Sequence, residues 1–244
     1  MQLKILSWNI WGGKNIEEVI SYLRNYNADI IALQEIIRDA EGNTALTIAR
    51  ALGYECVFDL GMKLSSKWSG PPREKEEIID FGNAILSKHK IIASETLVLS
   101  ESELRTATNA DIRVGNSVLH IYSVHLKHCH VRNNKPENAL LQKEQIEKLL
   151  QVLPREKVVV LGDFNGVPET YPVKKIAKIL QDAEASSATP TWSVYPEGCD
   201  ICSPASVEFK FDYIFSSLDL RPKSFKVGDS RASDHLPVSA LIEI

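Results

Sequence analysis

Short apolar runs that stop abruptly at an acidic, amide or histidine residue recur along this chain. VVVLGDFN ends at Asp163 and Asn165, and IIALQE ends at Glu35. A carboxylate at the end of an apolar strand is costly unless it is solvated, paired or bound to a cation. One such residue alone is best explained as a turn or a cap, but the repetition indicates a common site. The other strand ends of this kind carry Asn9, His125, Asp212 and the pair Asp234-His235.

Amphipathic helices are predicted between these runs, so the chain alternates strands with helices. Asn15 and Glu18 have the spacing of a capping box, which predicts that a helix begins there. TALTIARAL predicts a second helix, which Gly53 ends. PENALLQKEQIEKLLQVL predicts a third helix with Pro136 in its first turn, and PVKKIAKILQDA predicts a fourth.

The middle of the chain carries mostly strand signals. Apolar and β-branched runs dominate from Tyr54 to about Val124, and Gly115-Asn116 supplies a hairpin turn. Residues 62–81 have the composition of an irregular, polar connection, which we interpret as a substrate loop. No internal repeat, low-complexity tract or long linker interrupts the sequence, so we expect one domain over residues 1–244.

Composition excludes several classes of protein. With 44% hydrophobic and 25% charged residues, the chain has the composition of a globular protein, and no apolar run is long enough to span a bilayer. A net charge of -4 argues against a protein that coats long nucleic acid by bulk charge. The N-terminus lacks the features of a secretory signal, and four cysteines fit reduced thiols, so we expect a cytoplasmic protein.

If the polar strand ends converge, they place several carboxylate and amide oxygens in one pocket. Such a set of oxygen ligands suits Mg²⁺ or Mn²⁺ and does not suit Zn²⁺. Two histidines beside a hard cation indicate phosphate chemistry. The alternative for any single residue is structural: His125 could be a satisfied core histidine, and GDFNG could be a turn.

Seven motifs now carry a resemblance to a known family. SWNIWGG, ALQEI, GNAILS, SVHL, LGDFNG, DYIF and SDHLPV occur in the order seen in the endonuclease/exonuclease/phosphatase family, from Asn9 to Pro237. The resemblance implies an α/β fold: a four-layer α/β/β/α sandwich of two mixed β-sheets with helices on both outer faces. It also implies a site at one edge of the sandwich.

The resemblance assigns the metal ligands and part of the catalytic set. Glu35 resembles the family's principal Mg²⁺ ligand, with Asn9 and Asp234 close by. Asp163 resembles the aspartate that positions or deprotonates the attacking water, and Asn165 would hold the phosphate or that water.

The remaining roles concern the phosphate. His235 resembles the histidine beside the scissile phosphate, Asp212 the carboxylate that orients it, and His125 a second histidine of the family. Asn83 in GNAIL resembles a pocket residue, and Arg105 resembles an arginine that neutralises a phosphate oxygen.

The resemblance implies a Mg²⁺- or Mn²⁺-dependent phosphodiesterase that hydrolyses nucleic acid or its ends. We also expect a monomer without a membrane span. The start WNIWGG departs from the apurinic endonucleases of the family, which argues against cleavage at abasic sites. A phospholipid or inositol phosphate substrate is the alternative within this class. A non-catalytic binding module would require the loss of a ligand or catalyst, and all of these residues are present.

Further residues could surround such a site. A basic rim is one interpretation of the cations near it, although a solvated face with salt bridges is the simpler one. Trp68 and Trp192 could stack on a base, but we expect Trp192 in the core. Cys199 and Cys202 are interpreted as incidental thiols rather than a zinc site. The rim candidates are Lys63, Lys67, Arg73, Lys127, His128, His130 and Arg132.

Overall fold

The computed structural model describes residues 1–40, 42–67, 70–71, 74–101, 105–129, 131–132, 135–136, 140–184, 189–195 and 208–244. The strands are β1 Gln2–Asn9, β2 Ile30–Arg38, β3 Glu55–Phe58, β4 Met62–Ser65, β5 Ile78–Ser87, β6 Ile91–Ser100, β7 Arg105–Val114, β8 Ser117–His125, β9 Val131–Arg132, β10 Lys135–Pro136, β11 Val158–Asp163, β12 Gln181–Asp182, β13 Asp212–Ser216, β14 Arg221–Val227 and β15 Val238–Glu243. The helices are α1 Ile16–Tyr26, α2 Thr44–Leu52, α3 Leu140–Val152 and α4 Tyr171–Ile176.

Two mixed sheets contain almost all of these strands. The first has the order β14-β15-β1-β2-β5-β3, with β4 also paired to β5, and the second has the order β12-β13-β11-β8-β7-β6. In the first sheet β1 and β2 are parallel, and in the second β8 and β11 are parallel. The central strands of both sheets therefore run side by side in one direction, so their carboxyl ends meet at one edge of each sheet.

The core between the two sheets follows from the alternation of side chains along each strand. Leu3 and Ile5 of β1 lie in one apolar cluster with Ile121 of β8 and Leu161 of β11, so this cluster fills the space between the sheets. Successive side chains of a strand point to opposite faces. Residues of the opposite parity, such as Trp8, therefore face outward.

Helices cover both outer faces. Helices α1 and α2 place apolar residues such as Leu23 and Ile48 against the outer face of the first sheet. Helices α3 and α4 place Ile146 and Val173 against the outer face of the second sheet. This arrangement confirms the predicted four-layer α/β/β/α sandwich. None of the helices in the described part of the chain has the length and apolar character needed to cross a membrane.

Two predicted helices differ from the observed ones. Pro136 lies in the short strand β10 rather than in a helix, and the described part of the third helix begins at Leu140. The fourth helix ends at Ile176 and does not continue through the predicted stretch. Gln181 and Asp182 instead pair with β13, because edge pairing satisfies their backbone groups.

Two local predictions also require correction. Residues 62–81 are not an irregular loop throughout, since β4 pairs with the beginning of β5 in an antiparallel hairpin. Asn15 is the N-terminal cap of α1, but its side chain accepts no hydrogen bond from the helix. The Asn15 amide instead donates to the Ala232 carbonyl at 3.2 Å, so this residue joins the helix to the segment before β15.

Candidate active site

The inner faces that bury the core also carry the polar strand ends. Along β11, Leu161 faces the other sheet and Asp163 follows two residues later on the same face. Asp163 pairs across the sheet with His125 of β8 and with Asp212 of β13. Three predicted site residues are thus neighbours on adjacent strands, and all three are buried.

The first sheet contributes Asn9 and Glu35 to the same end of the sandwich. Asn9 follows Ile5 on the inner face of β1 and is 1% exposed. Glu35 lies at a bulge, where the register of β2 against β5 shifts between Gln34 and Ile36, and its φ is 58°. A bulge turns a side chain away from the regular alternation. The Asn9 Nδ2 group donates to Glu35 Oε1 at 3.1 Å.

A polar layer separates this end of the sandwich from the apolar core. The Ser7 hydroxyl donates to Gln34 Oε1 at 3.3 Å, and Gln34 Nε2 donates to Ser123 Oγ at 3.0 Å. All three side chains are fully buried. They join the two sheets by hydrogen bonds directly beneath the site, which holds the polar strand ends at fixed separations.

Asp163 lies at the centre of the site. Its Oδ2 accepts from Asn9 Nδ2 at 3.1 Å and from Asn165 Nδ2 at 3.2 Å, and its Oδ1 accepts from the Asn165 backbone N–H at 2.8 Å. Burial raises the pKa of the Asp163 carboxyl to about 7, although the positive charge of His235 opposes this shift. A buried carboxyl of this kind can exchange a proton near neutral pH.

His235 and Asp212 form a buried pair. His235 Nδ1 lies 2.9 Å from Asp212 Oδ2, and His235 Nε2 lies 3.6 Å from Asp163 Oδ2. Burial alone would lower the pKa of His235, but the negative charges of Asp212, Asp163 and Asp234 outweigh it and raise the pKa well above its ordinary value. These carboxylates therefore favour the protonated form of the imidazole, and the short contact from Nδ1 to Asp212 Oδ2 fixes the orientation of the ring.

His125 has the opposite electrostatic character. Its Nε2 lies 3.5 Å from Asp163 Oδ2, while its Nδ1 has no hydrogen-bond partner among the described residues. Burial lowers the pKa of His125 well below its ordinary value, and the positive charges of Arg105 and His235 lower it further. The neutral ring and the charged His235 ring thus flank the same carboxylate oxygen.

Asp234 and His235 leave the last loop in different directions, as their neighbours show. Asp234 Oδ2 accepts from Trp192 Nε1 at 3.2 Å, and Asp234 Oδ1 accepts from the Ser233 hydroxyl at 3.2 Å. Trp192 is buried against Phe209 and Phe211, as expected for a core residue. It nevertheless contributes to the site, because its indole N–H fixes the Asp234 carboxylate.

Gln142 is a supporting residue that sequence reasoning did not assign to the site. Its Nε2 group donates at 2.8 Å to the carbonyls of both Lys127 and Asn165. It thereby connects the loops that follow His125 and Asp163. Its position in the otherwise apolar stripe of the third helix could have indicated this role, because a buried amide must find polar partners.

Asn83 and Arg105 line a small pocket beside His125. Asn83 Nδ2 donates to the Thr106 carbonyl at 3.1 Å, and Asn83 Oδ1 has no hydrogen-bond partner among the described residues. Both predicted substrate-binding residues therefore lie within the site region, next to a histidine that faces Asp163. The lining residues are Met62, Phe81, Gly82, Asn83, Arg105, Thr106 and His125.

Two groups of residues could hold a metal ion. Ligand atoms of Asp163, Asp212 and His235 all lie within 4.8 Å of one another. We favour the other group, Glu35 with Asn9 and Asp234, because it offers only carboxylate and amide oxygens, which fit a hard divalent cation. In the first group the His235 ring is already bonded through Nδ1 to Asp212 Oδ2 at 2.9 Å.

Several predicted rim residues lie outside the described part of the chain. The structure does place Lys63, whose ammonium pairs with Asp80 Oδ1 at 3.2 Å on an exposed face. That contact supports the simpler interpretation of a solvated salt bridge at this position. Trp68, Arg73, His130, Cys199, Cys202 and the Arg132 side chain lie outside the described residues, so the predictions about them stay predictions.

Comparison with known proteins identifies the family. The model of the Endonuclease/Exonuclease/phosphatase family matches residues 6–235. The chain belongs to this family. This match confirms the resemblance inferred from the seven motifs. Members of the family are generally hydrolytic phosphoesterases that depend on a divalent metal.

Individual relatives are distant. The chain is 24% identical over 169 residues to mouse 2',5'-phosphodiesterase 12, a match that covers 61% of this chain and 27% of the mouse protein. The chain thus spans about a quarter of the length of that relative.

Solved structures share the fold at low identity. An endonuclease/exonuclease/phosphatase from Beutenbergia cavernae superposes with a TM-score of 0.77 at 19% identity, covering 100% of this chain and 72% of that one. The human Nocturnin catalytic domain with bound sulfate gives 0.72 at 19% identity, covering 99% and 94%. D. rerio TDP2 complexed with a single-strand DNA product gives 0.68 at 18% identity, covering 100% and 99%.

Proposed function

We propose that this chain is a Mg²⁺- or Mn²⁺-dependent phosphodiesterase that hydrolyses phosphodiester bonds in nucleic acid or at its ends. The observation that carries the proposal is the position of Asp163. This buried carboxylate lies between the Nε2 atoms of His125 and His235, at 3.5 and 3.6 Å, and accepts a hydrogen bond from Asn9. Such a carboxylate is suited to activating water beside a phosphate.

Asp163 is proposed to orient the attacking water and to accept its proton. Two hydrogen bonds from Asn165 and one from Asn9 fix the carboxylate, so little reorganisation is needed when the proton moves. A pKa of about 7 places the carboxyl near neutral pH, where a base accepts a proton most effectively.

His235 is proposed to stabilise negative charge on the phosphate. Asp212 binds Nδ1 and thereby fixes the ring, which leaves the Nε2 N–H for a phosphoryl oxygen. His125 stays neutral and offers a second ring edge to the same oxygens without adding charge. Asn83 and Arg105 are proposed to bind the phosphate or the adjoining substrate group in the pocket beside His125.

The oxygen donors Glu35, Asn9 and Asp234 are proposed to hold the divalent cation. When bound there, the cation would polarise the phosphoryl oxygens and stabilise the leaving oxygen. Nucleic acid is the proposed substrate because one structural neighbour is complexed with a single-strand DNA product and one relative is a 2',5'-phosphodiesterase.

An activity panel tests this proposal. Single- and double-stranded DNA, RNA, bis-p-nitrophenyl phosphate, sphingomyelin and inositol phosphates are incubated with the protein and Mg²⁺, with and without EDTA. We expect EDTA-sensitive hydrolysis of a nucleic acid, and loss of that activity in Asp163→Asn. Hydrolysis of sphingomyelin or inositol phosphates alone would favour the phospholipid or inositol phosphate alternative. Binding of nucleic acid without hydrolysis of any substrate would favour a non-catalytic module.

A further inference from the structure

A surface next to the proposed metal ligands combines two aromatic rings with two cations. The Trp11 and Tyr195 rings are stacked, with centroids 5.6 Å apart and an angle of 29° between their planes. The Lys14 ammonium lies 3.7 Å from the centroid of the Trp11 ring, and the Arg231 guanidinium carbon lies 5.2 Å from that of Tyr195. Both rings are partly exposed, and both cations are exposed. We call these four residues the aromatic wall.

Backbone contacts fix the aromatic wall to the site. Trp11 lies two residues after Asn9, a proposed metal ligand, and its backbone N–H donates to Asn9 Oδ1 at 3.1 Å. The Val194 N–H donates to the Asp234 carbonyl at 2.7 Å, which places the neighbouring Tyr195 beside another proposed ligand. These contacts place the aromatic wall next to the site, where it could meet a substrate whose phosphate is bound there.

The conformation of Trp11 supports a role beyond packing. Its φ of 50° lies in the left-handed region, which a bulky side chain rarely adopts. Glycine would take this conformation without strain, as Gly12 and Gly13 do directly after it. Strained residues concentrate at binding sites, where the surrounding structure holds them in place.

We propose that the aromatic wall binds a single nucleic-acid strand beside the scissile phosphate. This inference rests on the proposed function, because the strand enters the same site. Unpaired bases would stack on the Trp11 and Tyr195 rings, and Lys14 and Arg231 would bind flanking phosphates. Stacking of a base on an aromatic ring is stronger than an exposed cation–π contact, so a base displaces each cation from its ring. Bases of an intact duplex have both faces covered and cannot make these contacts.

Binding without turnover provides the first measurement. Labelled single-stranded DNA and single-stranded RNA are titrated in EDTA and followed by fluorescence anisotropy. Trp11→Ala and Tyr195→Ala should each weaken binding about tenfold or more, as expected for the loss of one stacked base. Tyr195→Phe keeps the ring and removes only the hydroxyl that donates to the Arg231 carbonyl. It should therefore weaken binding much less than Tyr195→Ala.

The cations are tested by salt dependence. Lys14→Gln and Arg231→Gln should each reduce the slope of binding against salt concentration, because each removes one phosphate contact. Lys88→Gln is the matched control. Its ammonium lies 5.8 Å from the Tyr54 ring at the opposite end of β2 and β5, and its removal changes the net charge equally.

Kinetics separates this inference from the proposed function. In Mg²⁺, Tyr195→Ala should lower the ratio of kcat/KM for single-stranded oligonucleotide to kcat/KM for bis-p-nitrophenyl phosphate about tenfold. Unchanged anisotropy in both alanine variants, or equal losses on both substrates, would overturn the inference. A loss confined to DNA or to RNA supports it and identifies the sugar. If Trp11→Ala does not fold, the two Tyr195 variants decide. If the wild type hydrolyses nothing, the proposed function fails and anisotropy still tests the wall.

Discussion

The pairing of His235 with Asp212 makes a quantitative prediction about catalysis. His235 Nδ1 lies 2.9 Å from Asp212 Oδ2, and both side chains are buried. His235→Ala removes the group proposed to stabilise charge on the phosphate, which should lower kcat about 10²-fold or more. Asp212→Asn should cost nearly as much, because an amide can donate to Nδ1 and favour the wrong tautomer of the ring.

The double variant, His235→Ala with Asp212→Asn, tests whether Asp212 acts through His235. Two independent losses of about 10²-fold would multiply to about 10⁴-fold. If Asp212 acts only through His235, the double variant should instead remain near 10²-fold. The difference corresponds to a coupling free energy of about 2.7 kcal/mol. A hydrogen bond between buried charged groups has a typical strength of about 1.5–3 kcal/mol, which agrees with this coupling.

Steady-state kinetics on a phosphodiester at several Mg²⁺ concentrations measures the four rates. A second histidine–aspartate pair in the same chain is the matched control. His120 Nδ1 lies 2.7 Å from Asp111 Oδ1 on neighbouring strands β8 and β7, in a partly exposed position on the outer face. Alanine and asparagine variants of that pair should leave kcat unchanged. If the losses at His235 and Asp212 multiply, the two residues act separately and the proposed role of Asp212 is wrong.

Three further predictions follow from single contacts. Glu35→Gln should raise the Mg²⁺ concentration needed for half-maximal activity without lowering the Tm, and an unchanged requirement would exclude Glu35 as a ligand. Gly82→Ala should destabilise the protein by about 3 kcal/mol, since the added Cβ would lie 2.1 Å from the Asp59 carbonyl. Gly53→Ala, with open space around it, should cost only about 1–2 kcal/mol in urea unfolding. Burial raises the pKa of Asp59 above 3.8, despite hydrogen bonds from Thr106 and Thr108. Between pH 3.8 and that raised pKa, Asp59 is protonated in the folded state but ionised in the unfolded state. The stability of the wild type therefore falls as pH rises through this range. Urea unfolding should therefore show Asp59→Asn gaining stability relative to wild type over this range, and a constant difference would refute the shift.

Local sequence patterns predicted the strands and the first two helices well. The alternation along LKILSWN places Leu3 and Ile5 between the sheets, and Gly53 ends the second helix in a left-handed conformation as expected. Asn15 is the cap that the sequence predicts, but its side chain donates to the carbonyl of Ala232, which is 217 residues away. No local pattern contains that partner, so tertiary structure replaced the predicted capping box.

The third helix and residues 62–81 show a similar limit. Pro136 suits the first turn of a helix, and it equally suits the edge of the short strand β10, where it pairs with Val131. Met62–Ser65 carries too few apolar residues to predict a strand alone. Its backbone is ordered by the adjacent edge of β5, whose hydrogen-bonding groups it satisfies.

The candidate site could be predicted in part because it follows from the same alternation that forms the core. On β11, Leu161 faces the other sheet, so Asp163 faces the same space two residues later. Family resemblance was needed to predict that six separate strand ends converge, since spacing alone does not fix strand order. The aromatic wall could not be predicted from the sequence. Trp11 and Tyr195 are 184 residues apart, and no periodic pattern connects them.

Glu35 shows why the exact form of the site was out of reach from sequence. In a regular strand it would lie on the face opposite Gln34, which points between the sheets and bonds to Ser123. The bulge between Gln34 and Ile36, with φ of 58° at Glu35, breaks this alternation. The carboxylate can therefore reach the Asn9 amide while Gln34 keeps its place in the polar layer below. A strand without the bulge would direct only one of these two side chains toward the site. The bulge at Glu35 therefore allows β2 to supply both Gln34, which supports the site from below, and the proposed metal ligand.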